Sequence, residues 1–309
     1  MDRLNKKSVV FTFIAVTLLF IIILIFLINI NNRTSTKIQT TNIKVETLNN
    51  VVKNLNSTLL PDALRSSSNQ AMISLLDYES NTTYVIDVED YLRQVMNDGN
   101  YNSVLQEDMF QDNLDFTLVH TLDEVRNLAE RQGAIFNYQP LDFNTLTIRQ
   151  DDPWNVVVEM SISYSLSDAK NEISWDIQDR AISTRLDVGD YRDPLYLVQP
   201  ESRKSIYIMK TPYANFNNIN DFIDHVYNFY FITNVDAPSF LERLHGQLVP
   251  SGTNGIESIL SPVLFSNPSD YSNVDHQYFS LIPGQCVQGM PSNFFLESSH
   301  LTFYNRISC

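Results

Sequence analysis

Glycine is scarce, with 8 residues in a chain of 309. Loops that cradle phosphates use glycine where backbone must approach a ligand closely, so the scarcity argues against that chemistry. The motifs whose spacing places catalytic atoms are missing too: no nucleophile elbow, no H-E-x-x-H helix, no phosphate loop and no dinucleotide fingerprint. The five histidines, His120, His225, His245, His276 and His300, form no i,i+3 or i,i+4 pair. Each reads as a structural or surface histidine, and neither metal nor cofactor is expected. Positive charge is also in deficit. Lys and Arg number 21 against 36 Asp and Glu, a formal net charge of -15, which argues against nucleic acid as a partner because phosphate backbones are bound through basic side chains. Two acidic groups, Asp187 with Asp190 and Asp193, and Asp221 with Asp224, carry the oxygen donors calcium takes. Their spacing fits no EF-hand loop, and solvated carboxylates are the expectation.

Cysteine is nearly absent. Cys286 and Cys309, both near the C-terminus, would close a loop of about 24 residues, worth on the order of 3 kcal/mol in chain entropy. A disulfide is expected in an exported body, with two unrelated free thiols as the alternative.

Against these absences stands one long hydrophobic run. Ser8 to Ile28 contains no charge, and about 21 residues at ~1.5 Å each cross a ~30 Å hydrocarbon layer. We read 8–30 as a transmembrane helix, 1–7 as a cytoplasmic tail, 31–60 as a helical stalk and 61–309 as an extracytoplasmic body. Arg3, Lys6 and Lys7 favour a cytoplasmic N-terminus, although Arg33, Lys37 and Lys44 follow closely on the other side. A cleaved secretory signal is the competing reading, but the run is longer than the ~7 to 15 residues of a signal core. Sequons at Asn32, Asn56 and Asn81 are candidate glycosylation sites consistent with an outside body.

Within the stalk, Val45, Leu48, Val52, Leu55 and Leu59 recur three and four apart, an apolar seam that could serve a coiled-coil partner but, at only about two heptads, is expected to pack on the chain's own body. The stalk is expected to run to Pro61. A second helical pattern follows to Tyr78. Asp87 and Gly99 bracket another helix, and Thr121 with Glu124 reads as a capping box opening a helix that Gly133 closes.

From Trp154 to Leu166 apolar residues alternate with mostly polar ones, the pattern of a long strand buried on one face. A turn at Asp168 to Asn171 leads to a return strand whose apolar phase switches between Ile177 and Ile182, as a β-bulge or a strand crossing to another packing surface would require. Thr145–Gln150, Leu195–Val198 and Ser205–Lys210 read as shorter strands. A helix spans Ile219 to Phe229, and Ser239 with Glu242 caps another that stops at Gly246. The expected fold class is α+β, an antiparallel sheet with flanking helices. Tyr207, Tyr213, Phe216, Phe222, Tyr227, Phe229, Tyr230 and Phe231 are dense enough for an aromatic groove, though core packing explains most of them.

Five short phrases carry a family resemblance: Asp152-Pro153-Trp154, Ser174-Trp175, Asp193 to Val198, Ala237 to Leu244, and Gly255-Ile256-Glu257-Ser258. In these the chain resembles uncharacterised archaeal membrane-anchored, pilin-like surface proteins. The resemblance implies an apolar N-terminal helix in a membrane or filament core, a β-rich displayed head, and leader cleavage between Lys7 and Ser8. The Gly or Ala common at that cleavage position is absent here. The expectation is a non-enzymatic, single-pass structural or adhesion protein. It would contact the lipid bilayer through its N-terminal helix and associate with itself or with envelope proteins. An anchored module that binds a small ligand or peptide is the alternative.

Overall fold

A computed structural model describes residues 23–26, 42–199, 203–265 and 270–309. Lys7, Ser8, Asn32 and most of the apolar run therefore lie outside the described residues. Among those described, no helix is long and apolar enough to cross a membrane.

The described body begins as a helix over 42–54 that passes through a π-helical turn, Leu55–Leu59, into α1, Leu60–Asn81. Leu60 N–H bonds to Leu55 O, five residues back. The wider turn comes just before Pro61, which has no N–H and whose ring would crowd the carbonyl four residues earlier. The helix consequently continues through Pro61 instead of stopping there. Its apolar seam docks on the body as expected: Leu48, Val51 and Leu55 are buried in the main core, with Val52 and Leu59 packed against it.

Helix α1 is the spine of that core. Leu60, Leu64, Ala71, Met72 and Leu75 are fully buried between the sheet on one side and α2 (Val88–Asp98) and α3 (Leu118–Arg131) on the other. Asp87 caps α2 by accepting from Asp90 N–H at 2.8 Å, and Gly99 ends it at φ 74°. Helix α3 starts a turn before the expected capping box. Its stripe of Leu118, Leu122, Val125 and Ala129 is already buried, and Thr121, inside the helix, donates its hydroxyl to Leu118 O at 3.0 Å.

The sheet is built on β3 (Asn155–Asp168), with β4 (Ser174–Asp187) antiparallel along its length. On the other edge of β3, β1 (Ala134–Tyr138) pairs with its C-terminal end and β2 (Thr147–Asp152) with its N-terminal end. Val156, Val158, Met160, Ile162, Tyr164 and Leu166 are buried on one face, the alternation read from the sequence. The phase switch is a bulge. Ile162 pairs with Arg180 but Tyr164 pairs with Ile177, and Asp179 takes φ 48°.

Two expected strands are corrected. Leu195–Val198 is not a strand: Pro194–Val198 is a short helix, α4, because Asp193 Oδ1 accepts Leu195 N–H at 2.7 Å and Pro194 is set for a first helical turn. Ser205–Lys210 contracts to β5, Met209–Lys210. Strand β5 pairs parallel with β6 (Tyr230–Thr233), which pairs antiparallel with β7 (Ile256–Glu257).

The remaining helices are α5 (Ile219–Tyr227), α6 (Phe240–Leu244), α7 (Asp275–Phe279) and α8 (Ser298–Phe303). Helices α5 and α8 border a second apolar cluster that includes Phe216, Phe222, Val274, Phe294 and Tyr304, while Phe240 and Leu244 of α6 and Tyr278 of α7 pack into the main core. Ser239 and Glu242 form the expected capping box of α6. Phe216, Phe222, Phe229 and Phe231 are buried, so half of the aromatic series is core and not groove.

Candidate functional site

A buried polar centre lies where α4, α6, β7, α7 and α8 meet. Arg243, on α6, is fully buried; its Nη1 donates to Asp193 Oδ2 at 2.6 Å and to Asp275 Oδ2 at 2.9 Å. Its Nη2 donates to Ile256 O, and the guanidinium carbon lies 5.6 Å from the Phe231 ring centroid. The residues around Arg243 approach so closely that only glycine fits at position 255. A Cβ there would collide with the carbonyl oxygens of Asn234 and Ala237.

The two carboxylates differ in their surroundings. Asp275 Oδ2 also accepts from Ser258 N–H at 3.0 Å and from Ser258 Oγ at 2.9 Å, and Oδ1 accepts His276 N–H at 2.6 Å. Burial works against its charge, but Arg243 and His276 hold its carboxyl below the usual range. Asp193 has fewer donors, and burial pushes it up to about 6 despite Arg243.

Asp275 links this pair to a second group. His276 Nδ1 lies 3.3 Å from Asp275 Oδ1. One ligand-capable atom each from His276, His300 and Glu257 falls within 4.8 Å of the others, and all three residues are buried. His300 Nε2 is 3.1 Å from Glu257 Oε2, which also accepts from Asn234 Nδ2 at 2.9 Å, while Tyr304 donates its hydroxyl to Glu257 Oε1 at 2.6 Å. On the other ring edge, His300 Nδ1 faces Gln277 Nε2 and Ser299 Oγ, each at 3.1 Å, and Glu297 Oε2 at 3.7 Å. Burial opposes charge on both members, yet His300 lowers Glu257, and Glu257 and Glu297 raise His300.

Sequence reasoning missed this group. Glu257, His276 and His300 come from separate elements with no diagnostic spacing, and only the tertiary fold brings them together. The other histidines behave differently: His120 and His245 are exposed, and His225 is buried among Phe216, Tyr230 and Tyr304 with burial lowering it to about 4. The acidic groups do not converge as a cation site. Asp193 is held by Arg243, Asp187 accepts from Gly189 N–H, and Asp224 accepts from the Tyr213 hydroxyl.

Cys286 and Cys309 are free thiols, so the expected disulfide is unformed. They are neighbours nonetheless: Cys309 N–H donates to Cys286 O at 3.2 Å, beside a Val287–Ser308 antiparallel bridge. The neighbouring Cys286 thiol raises Cys309. Of the described sequons, Asn81 is exposed at the end of α1, whereas half-buried Asn56 accepts from the Tyr164 hydroxyl at 2.8 Å.

No family model, curated protein or solved structure matches this chain.

Proposed function

We propose that this is a single-pass, extracytoplasmic structural or adhesion protein, pilin-like in layout, that displays its α+β body on a membrane-embedded helix. The observation that carries the reading is the passage of one helical path from exposure to burial. Most of 42–50 is exposed, while beyond Leu55 the same path becomes the core spine of the body. From 42 to 81 it extends about 60 Å at ~1.5 Å per residue. Force or orientation applied at the start of that path is thereby delivered to the centre of the body.

Upstream, Ile23, Leu24, Ile25 and Phe26 form a helical turn of exposed apolar side chains. Such a turn is costly in water and at home in lipid. The acidic surface suits display outside a cell, where it keeps bodies soluble at high density. Self-association or contact with envelope proteins is the partner class proposed, and no enzymatic step is assigned.

Washing the native membranes with alkaline carbonate tests the anchor. The protein should stay in the pellet until detergent is added. Release into buffer alone would remove the basis for the whole reading.

A further inference from the structure

We propose that Glu257, His276 and His300 form a binding site for a divalent transition-metal cation of the zinc class. The donor set is one carboxylate and two imidazoles, which suits zinc and its neighbours; calcium and magnesium prefer all-oxygen shells. In a tetrahedral site with bonds of ~2.0 to 2.1 Å, ligand atoms lie about 3.3 Å apart. Glu257 Oε2 and His300 Nε2 are already 3.1 Å apart. The third donor, within 4.8 Å of both, has to move by little more than an ångström.

The outer contacts fit the same assignment. Ligating histidines ordinarily give their second ring nitrogen to a carboxylate or carbonyl, which fixes the ring and the tautomer. Here His276 Nδ1 faces Asp275 Oδ1 at 3.3 Å and His300 Nδ1 faces Glu297 Oε2 at 3.7 Å. The His300 ring thus turns its Nε2 toward Glu257 Oε2, with Asn234 Nδ2 also 3.3 Å away. Glu257 is oriented in turn by Tyr304 and Asn234.

Access is one-sided. Glu257 is wholly buried and His300 2% exposed, while His276 is 6% exposed, so a cation would enter past His276. Three protein ligands leave a fourth position for water or a partner's side chain. The bound ion would tie together β7 and α7, which contribute Ile256 and Tyr278 to the main core, and α8, which contributes Leu301 to the smaller cluster. An ordinary buried ion pair between Glu257 and His300 explains their contact, but it does not account for a ligand-capable nitrogen of a third buried residue, His276, within 4.8 Å of both.

The test uses the full-length chain in detergent, stripped with chelator and dialysed. It is titrated with Zn2+ alone by calorimetry and with Co2+ as an absorbing probe. The expected result is one Zn2+ per chain, visible Co2+ bands of a tetrahedral nitrogen and oxygen site, and binding about tenfold weaker or worse in His276→Asn and Glu297→Gln. Replacing both cysteines by serine should leave binding intact. Because loss of Glu257 threatens the fold, His276→Asn, at the rim of the centre, is the deciding variant. Co2+ spectra of the unaltered protein decide the matter independently of any variant. Absence of a stoichiometric ion, a thiolate-to-Co2+ band, or full retention of Zn2+ by His276→Asn would each overturn the assignment.

Discussion

Lys44, at the exposed start of the helical path, reaches across 124 residues to place its Nζ 3.0 Å from Asp168 Oδ2 and 2.6 Å from Glu172 Oε2, at the turn of the long hairpin. The two carboxylates raise Lys44. Asp168 is held below its usual range, where Ile173 and Glu172 N–H groups and Lys44 outweigh what burial it has. This contact fixes the direction in which the path leaves the body.

Replacing Lys44 with alanine should leave the melting temperature almost unchanged, since exposed ion pairs contribute little. Amide exchange across 42–54 should nevertheless quicken. Asp168→Ala should cost more, because Asp168 also accepts from the Glu172 and Ile173 N–H groups that shape the turn. Hydrogen exchange measured segment by segment distinguishes the two, and equal effects would contradict this division of roles.

Arg243 is the pin of the polar centre. Arg243→Met leaves Asp193 and Asp275 buried without their cation and should cost ~3 to 5 kcal/mol in denaturant unfolding. Asp275→Asn should be worse than Asp193→Asn, since Asp275 also serves Ser258 and His276 whereas Asp193 already leans toward its neutral form.

Stability should vary with pH through two groups of opposite sign. Burial raises Glu79 to about 8 against an ordinary 4.5, so the folded state holds the extra proton and its contribution is lost as pH rises from 4.5 through 8. Burial lowers His225 to about 4 from 6.5, so its contribution is present above 6.5 and lost as pH falls toward 4. The slopes oppose each other between 4.5 and 6.5, leaving a net decline above 6.5. Glu79→Gln keeps an acceptor for Val85 N–H and should gain about 3 kcal/mol at pH 7 and little at pH 4.5. His225→Phe should remove the loss on the acid side. Denaturation curves at four pH values check both signs.

The thiols of Cys286 and Cys309 should be joined readily by an external oxidant, because their backbones already sit side by side. Oxidised protein should be two hydrogens lighter by intact mass and more stable by on the order of 3 kcal/mol. A mass unchanged after mild oxidant treatment would show that the bridge does not form.

Much of the fold was legible because local signals and tertiary demands agree. The alternation from Trp154 onward, the bulge before Ile182, the Asp87 cap with Gly99, and the Ser239–Glu242 box each depend on residues near in sequence. Reading failed where one contact overruled composition. Leu195 to Val198 has the apolar and aromatic character of a strand, yet the Asp193 cap and Pro194 make it helical. At Pro61, a π-helical turn ending two residues earlier, at Leu59, absorbs the break a proline would impose.

The candidate site itself was not legible, because nothing in the sequence marked its residues as a group. The phrases behind the family resemblance supply Asp193, Arg243, Glu257 and Ser258, which meet in the polar centre. His276 and His300 carried no signal, since their rings come within 6.0 Å only through folding.

Limited proteolysis of intact cells with a membrane-impermeant protease tests the central claim most directly. The account predicts that the 61–309 body is digested from outside while a short fragment containing 8–30 stays in the membrane. A body that is fully protected in intact cells, or released without protease, would contradict it.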